Sequence, residues 1–195
     1  KGLLDFTSCT ECGRCQSQCP AWNTGKPLSP KLLIMDLREH TYTKAPYLQA
    51  AETARAALPE ATRAEAARSL VGPIEVTDGV PGVIDPDVLW SCTTCGACVQ
   101  ECPVDIEHVD HILDMRRFEV MMSAEFPTEL TGLFKGLESK GNPWNMSPRG
   151  RMDWAKELPF PVPVVGEDVE DLSEVEYLFW VGCAGAYEDR AKKTT

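Results

Sequence analysis

Residues 8–20 read SCTECGRCQSQCP, and residues 91–103 read SCTTCGACVQECP. In each segment two residues separate the first three cysteines from one another, and a fourth cysteine stands directly before a proline. Three thiolates at this spacing can hold three corners of one four-iron cube, whereas the cysteine before proline is directed away and typically binds the other cluster. The duplicated pattern therefore predicts two [4Fe-4S] clusters with exchanged fourth ligands.

The expected ligands fall into two sets of four. The first cluster is assigned to Cys9, Cys12, Cys15 and Cys102, and the second cluster is assigned to Cys92, Cys95, Cys98 and Cys19. Gly13 and Gly96 follow the second cysteine of each motif, where a residue without Cβ lets the backbone fold closely around the cube. Since the clusters carry the redox chemistry, no side chain is assigned a catalytic role.

Two other uses of cysteine fit the pattern less well. Zinc sites use paired C-x2-C knuckles with four ligands per ion and do not need a third cysteine plus a trailing Cys-Pro. A disulfide framework needs an oxidising compartment and usually a much shorter chain. Iron–sulfur clusters are therefore the favoured interpretation.

The composition limits the partners. The 195 residues carry 30 acidic and 19 basic side chains, for a formal net charge of −11. This balance argues against a nucleic-acid surface, which would show clustered Lys and Arg. We find no signal peptide and no apolar run near the ~20 residues that a membrane span requires. The sequence opens at Lys1 directly before the first motif, so we expect it to be a segment of a longer protein.

The spacing of the motifs favours a helical fold. Residues 20–91 separate them and are rich in Ala, Glu and Arg, whereas small bacterial ferredoxins keep their motifs close together. Ser29-Pro30 and Asp85-Pro86 each predict a helix start, and the first of these helices is expected to end at about His40. We expect His40, His108 and His111 to be structural or solvated rather than metal ligands, and Arg116 to be solvated or paired with a local acid rather than catalytic.

A domain boundary is predicted near residue 160, where the proline-rich residues 158–163 cannot continue a helix. Residues 1–160 would form an α-helical dicluster domain, and residues 161–195 a linker and the start of a second domain. Tyr177–Val181 has the apolar character of a buried parallel strand. Cys183 follows that strand directly. Two roles are open for it, a ligand at the carboxyl end of the strand or a buried structural thiol.

Several segments together resemble the heterodisulfide-reductase-like (HdrC/HdrD-type) iron–sulfur proteins. The residues that carry the resemblance are both cysteine motifs, Trp90–Cys92, Asn142–Trp144, Arg151, Trp154 and Trp180–Gly185. The resemblance implies a mainly α fold, with the first β-α element of an α/β cysteine-rich (CCG) domain after the dicluster domain. It also makes Cys183 similar to the first cysteine of the CCG site and a possible further ligand, although the remaining cysteines of that site are absent.

The same resemblance implies an electron-transfer module within an iron–sulfur oxidoreductase. The chain resembles bacterial membrane proteins that join a quinone-reducing transmembrane domain, a dicluster domain and CCG domains, some of which look like oxidoreductases passing electrons from electron-transfer flavoprotein to menaquinone. This implies a flavoprotein donor, a quinone-linked membrane domain in the same full-length chain, and a position at the cytoplasmic face of the membrane. Two alternatives stay open: a feeder segment of a heterodisulfide-reductase-like enzyme whose CCG domain carries the catalytic cluster, and a binding module that the clusters only brace.

Overall fold

A computed structural model describes residues 2–195 and divides the chain into two compact units, Lys1–Phe126 and Pro127–Thr195. Within the described residues the protein is mainly helical and has no β-strand, apart from isolated bridges at Val71–Ile84 and Val165–Val169. The prediction of a mainly α fold is therefore confirmed. No helix among these residues is long and apolar enough to cross a membrane.

The helices are short except for one. The first unit contains α1 (Gly2–Ser8), α2 (Arg14–Ser17), α3 (Pro20–Asn23), α4 (Pro30–Gln49), α5 (Glu60–Ala67), α6 (Pro86–Trp90), α7 (Ala97–Gln100) and α8 (His108–Phe118), with a 3-10 segment at Glu52–Ala57 and a π-helical turn at Glu119–Ser123. The second unit contains α9 (Leu130–Lys140), α10 (Cys183–Tyr187) and α11 (Asp189–Thr194), with 3-10 turns at Pro148–Gly150 and Asp153–Ala155.

Both predicted helix starts are confirmed. The Ser29 hydroxyl accepts a hydrogen bond from the backbone N–H of Leu32 at 3.2 Å, and the Asp85 carboxylate accepts one from the N–H of Asp87 at 2.8 Å. The proline after each cap occupies the first helical turn, where its missing N–H would have no partner inside the helix.

The predicted end of α4 near His40 is wrong, because the helix continues to Gln49. His40 is buried, and its Nδ1 lies 2.6 Å from a carboxylate oxygen of Glu65 on α5. This contact joins α4 to α5 beyond the leucine stripe, so tertiary packing supports the helix past its apolar part.

The core of the first unit lies between α4, α6 and α8. It consists of Cys19, Ala21, Leu28, Leu33, Leu37, Val83, Ile84, Leu89, Ile112 and Met115. One predicted ligand, Cys19, belongs to this core, so the apolar packing continues directly to a cysteine motif.

The predicted strand at Tyr177–Val181 is absent from the structure. Tyr177 and Trp180 are 80% and 88% exposed, so the run is not buried. A strand is stabilised by pairing with a neighbour, and the described part of the chain offers this run no neighbouring strand. A short helix, α10, begins at Cys183, directly after this run.

Candidate metal centres

The eight motif cysteines line two separate cavities in the first unit. Cys9, Cys12, Cys15 and Cys102 line one cavity, with about 290 Å³ of empty space that includes open solvent. Cys19, Cys92, Cys95 and Cys98 line the other, with about 320 Å³ measured in the same way. Each cavity thus receives three cysteines from one motif and the fourth cysteine of the other, which is the grouping expected from the sequence.

The two motif loops share one backbone conformation. Glu11 and Thr94, between the first two cysteines of each motif, have φ of 58° and 55°. Gly13 and Gly96 have φ of 80° and 79°. A Cβ at either glycine would meet nothing within 4 Å, so the left-handed backbone, rather than crowding, explains the preference for glycine.

The short helices that follow these loops position the later cysteines. Cys15 lies in α2 and Cys98 lies in α7, and both side chains are buried. The chain leaves α2 through Cys19, which precedes the first residue of α3, Pro20. This tight path from α2 to α3 brings Cys19 to the second cavity and leaves Cys15 at the first.

Burial and backbone N–H groups act in opposite directions on the thiols. Burial raises the pKa of Cys15 to about 11 and that of Cys98 to about 12. A hydrogen bond from the backbone N–H of Arg14 lowers the pKa of the exposed Cys12. The N–H groups of Thr94 and Ile106 point to the sulfurs of Cys92 and Cys102 at 3.3 and 3.4 Å. Such donors stabilise thiolates that have lost their protons to a metal.

The arrangement fits a cube better than a single ion. Within residues 2–195, no three His, Cys, Asp or Glu side chains converge closely enough to hold one metal ion. In a cube each thiolate binds its own iron corner, so the four sulfurs need only surround a common space.

His108 adds a buried polar atom to the first cavity. Its ring is 1% exposed and lines that cavity, and its Nδ1 has no hydrogen-bond partner in the described structure. Burial lowers the pKa of His108 and outweighs a hydrogen bond to the backbone of Ile106, which raises it, so the neutral ring is favoured. In the tautomer that protonates Nδ1, a cluster or thiolate sulfur in this cavity would supply the acceptor for this buried N–H.

Two arginines contact the motif backbones. Arg38 of α4 donates to the carbonyl of Cys9 at 3.5 Å and also pairs with Glu11. Arg116 of α8 donates to the carbonyl of Cys92 at 2.7 Å. The expectation that Arg116 is solvated or paired with a local acid is wrong, because its guanidinium is half-buried against backbone carbonyls.

Cys183 lies in the second unit, apart from the eight motif cysteines in sequence. Its sulfur accepts a hydrogen bond from Nη2 of Arg151 at 3.4 Å. It lines a large, mainly apolar cavity with Trp154, Phe179 and Trp180. Within the described residues this unit holds no other cysteine, so Cys183 has one cation beside it and no second sulfur.

The sequence did not identify His108, Arg38 or Arg116 as residues of these centres. The two arginines are distant in sequence from the cysteines that they approach, and only the packing of α4 and α8 brings them together. His108 lies shortly after Cys102, which lines the same cavity, so its position after the second motif was the signal that could have identified it. His111, expected to be structural, pairs with Asp5 of α1 at 2.9 Å.

Two cavities with four cysteines each define a protein of the two-cluster iron–sulfur class. The family model described as the 4Fe-4S dicluster domain matches residues 8–106, and the chain belongs to this family. It carries two [4Fe-4S] clusters and is an iron–sulfur electron-transfer segment. No solved structure matches the chain.

Named relatives extend this result. The chain is 42% identical over 195 residues to the EtfAB:quinone oxidoreductase of Syntrophomonas wolfei, covering 99% of this chain and 27% of the relative. It is 36% identical over 199 residues to a probable membrane-anchored ferredoxin of Chromohalobacter salexigens, covering 98% and 27%. It is 25% identical over 193 residues to one polypeptide of the dihydromethanophenazine:CoB–CoM heterodisulfide reductase of Methanosarcina acetivorans, covering 97% and 40%.

The chain therefore spans between about a quarter and two fifths of the length of these relatives. The resemblance to heterodisulfide-reductase-like iron–sulfur proteins is confirmed, because a relative of that name aligns with nearly the whole chain. The segment is of the kind that these iron–sulfur oxidoreductases contain.

Proposed function

We propose that the eight motif cysteines ligate the two clusters with exchanged fourth ligands. The support is the division of the cysteines between the cavities: Cys9, Cys12 and Cys15 with Cys102 at one, and Cys92, Cys95 and Cys98 with Cys19 at the other. The packing of α2, which carries Cys15, against α7, which carries Cys98, also supports close neighbouring sites.

In this function the chain holds two one-electron centres side by side and packs apolar side chains against them. When bound, each [4Fe-4S] cluster supplies one-electron redox chemistry. Leu28 and Ile112, which are almost fully buried, line the second cavity, and Ile106 does so at the first. Backbone N–H groups stabilise the sulfur charge without moving a proton, so the segment needs no general acid, base or nucleophile.

The proposed route of electrons runs between a flavoprotein donor of the electron-transfer flavoprotein type and a quinone-linked membrane domain in the full-length chain. The names of the relatives support this route, since one is an EtfAB:quinone oxidoreductase and another is a membrane-anchored ferredoxin. Such a route would place the segment at the cytoplasmic face of the membrane, with no role for nucleic acid.

We propose that residues 1–160 are the dicluster domain and that residues 161–195 are a linker and the start of a CCG domain. The proline-rich residues 158–163 and the exposed aromatic side chains of Tyr177 and Trp180, which a further segment of that domain would cover, support this division. Cys183 would be a further ligand in that domain. The heterodisulfide reductase relative supports the corresponding second function, a feeder of electrons to a catalytic cluster.

The ligand exchange can be tested with serine variants of the anaerobically purified protein. Crossed ligation requires that Cys19→Ser and Cys95→Ser alter the same one of the two clusters, although the cysteines come from different motifs. Cys102→Ser and Cys12→Ser must alter the other cluster. Electron paramagnetic resonance during stepwise reduction with dithionite distinguishes the two clusters by their signals and potentials.

Cys183→Ser is the matched control for these variants. Since Cys183 lines neither motif cavity, this variant should keep about eight irons per chain and both signals. If Cys19→Ser instead alters the cluster that Cys12→Ser alters, each motif holds its own cluster and the exchange is wrong.

A further inference from the structure

Each cysteine motif has one arginine that donates to the backbone carbonyl of its first cysteine. At the first motif, Nη1 of Arg38 lies 3.5 Å from the Cys9 oxygen. At the second motif, Nη2 of Arg116 lies 2.7 Å from the Cys92 oxygen and 2.8 Å from the oxygen of Leu89. Both clusters therefore have a guanidinium beside the backbone of a ligand.

The two guanidinium groups differ in their counter-charges. Nη2 of Arg38 lies 2.6 Å from a carboxylate oxygen of Glu11, and its Nε lies 3.6 Å from one of Glu39. No Asp or Glu among residues 2–195 forms an ion pair with Arg116, whose guanidinium instead lies over the ring of Trp90 at 4.8 Å. The charge of Arg38 is balanced, and that of Arg116 is not.

The surroundings of the two cavities increase this difference. Lys31 and Glu11 both line the first cavity, and the charged Glu11 is 45% exposed to solvent. Apart from the cysteines, the second cavity is lined by uncharged residues such as Leu28, Val109 and Ile112. A charge acts over a longer range where water and counter-charges do not screen it.

Reduction of a cluster by one electron adds one negative charge, with no bond broken and no proton required. A nearby cation stabilises the reduced state relative to the oxidised state and so raises the reduction potential. A neutral ion pair at a similar distance contributes little, because its two charges act in opposite directions.

We propose that Arg116 raises the reduction potential of the cluster at the second cavity, whereas the Arg38–Glu11 pair leaves the potential at the first cavity nearly unchanged. Arg116 acts through the backbone of Cys92 and through its charge, and is a positioning residue rather than a ligand. This inference rests on the proposed ligand assignment.

The test is an anaerobic potentiometric titration of the holoprotein, with each one-electron step assigned from the Cys→Ser variants. Arg116→Gln should move the second-cavity step to lower potential and leave the first-cavity step in place. Arg116→Lys keeps the positive charge but loses the hydrogen bonds of one guanidinium to two carbonyls. The potential of its second-cavity step should lie closer to that of the natural protein than the potential of Arg116→Gln does. A purely structural role would give no such separation between Gln and Lys.

The matched control removes the neutral pair at the first cavity. The double variant Glu11→Gln with Arg38→Gln should shift the first-cavity step much less than Arg116→Gln shifts the second. Glu11→Gln alone removes the nearer carboxylate of Arg38 and leaves only the more distant, exposed one of Glu39, so it should raise the first-cavity step. This result does not depend on whether Arg116→Gln folds.

The inference is overturned if Arg116→Gln retains about eight irons and an unshifted second-cavity step. It is also overturned if Arg116→Gln loses iron while Glu11→Gln leaves the first-cavity step in place. Failure of the proposed ligand exchange looks different, because the serine variants would then group by motif while the arginine effects could still be measured.

Discussion

Individual cysteines determine how binding of the clusters depends on pH. Burial raises the pKa of Cys15 and Cys98 to about 11 and about 12, so both thiols keep their protons near neutral pH when no metal is bound. Metal binding must displace these protons, while N–H donors such as those of Thr94 and Ile106 stabilise the sulfur charge. Loading of the clusters is therefore linked to pH.

The buried ring of His108 provides a prediction at the same scale. If its Nδ1 donates to a sulfur at the first cavity, His108→Leu removes that donor and lowers the potential of the first-cavity step. The second-cavity step should not move. A potentiometric titration monitored by paramagnetic resonance measures both.

His108→Asn is the control, because the asparagine side chain is smaller than the imidazole ring but retains an N–H donor. It should shift the first-cavity step less than His108→Leu does. Equal potentials in the natural protein and the leucine variant, with both clusters present, would mean that Nδ1 has no sulfur partner.

At the scale of elements, the motif loops depend on glycine at one backbone position. Gly96 has φ of 79°, so Gly96→Ala should destabilise the loop by about 1–2 kcal/mol. Anaerobic unfolding in denaturant, followed by the visible absorbance of the clusters and by circular dichroism, should show a lower midpoint than the natural protein.

Gly132→Ala is a control of the same size in a different conformation. Gly132 lies inside α9, where a Cβ would meet nothing within 4 Å, so alanine there should stabilise the helix by up to about 1 kcal/mol. If both alanine variants behave alike, the left-handed conformation of Gly96 does not limit the stability of the loop.

The sequence predicted those elements whose signals are local. Ser29 and Asp85 start helices because a cap and a following proline act within one turn. The end of α4 was missed, because the contact of His40 with Glu65 joins residues far apart in sequence. The strand at Tyr177–Val181 was wrongly predicted, since an apolar run forms a strand only where a neighbour pairs with it.

The candidate centres, like the helices and the strand, were predictable only where the signal lies in a short stretch of sequence. The cysteine spacing gave the cofactor and the division of the cysteines between the two cavities, because the motif itself encodes the geometry of a cube. Arg38 and Arg116 reach the motif backbones from α4 and α8, whose packing no short pattern describes. These arginine contacts are therefore a tertiary property that the motifs alone do not predict.

For the whole molecule, all eight motif cysteines belong to one compact unit, Lys1–Phe126, and the two cavities lie within it. The formal charge of −11 does not include the clusters and their thiolates, which add further negative charge. The unbalanced cation Arg116 and the backbone N–H donors offset part of that charge locally. Two adjacent centres in one unit are the arrangement expected of a single-electron relay.

The most direct test of this account is paramagnetic resonance of the dithionite-reduced protein, with spins counted against protein concentration. Adjacent clusters that each accept one electron predict a broadened spectrum from two interacting spins per chain, filled in two one-electron steps. A single isolated spin per chain, or two spins without any interaction, would contradict the relay of electrons through neighbouring clusters.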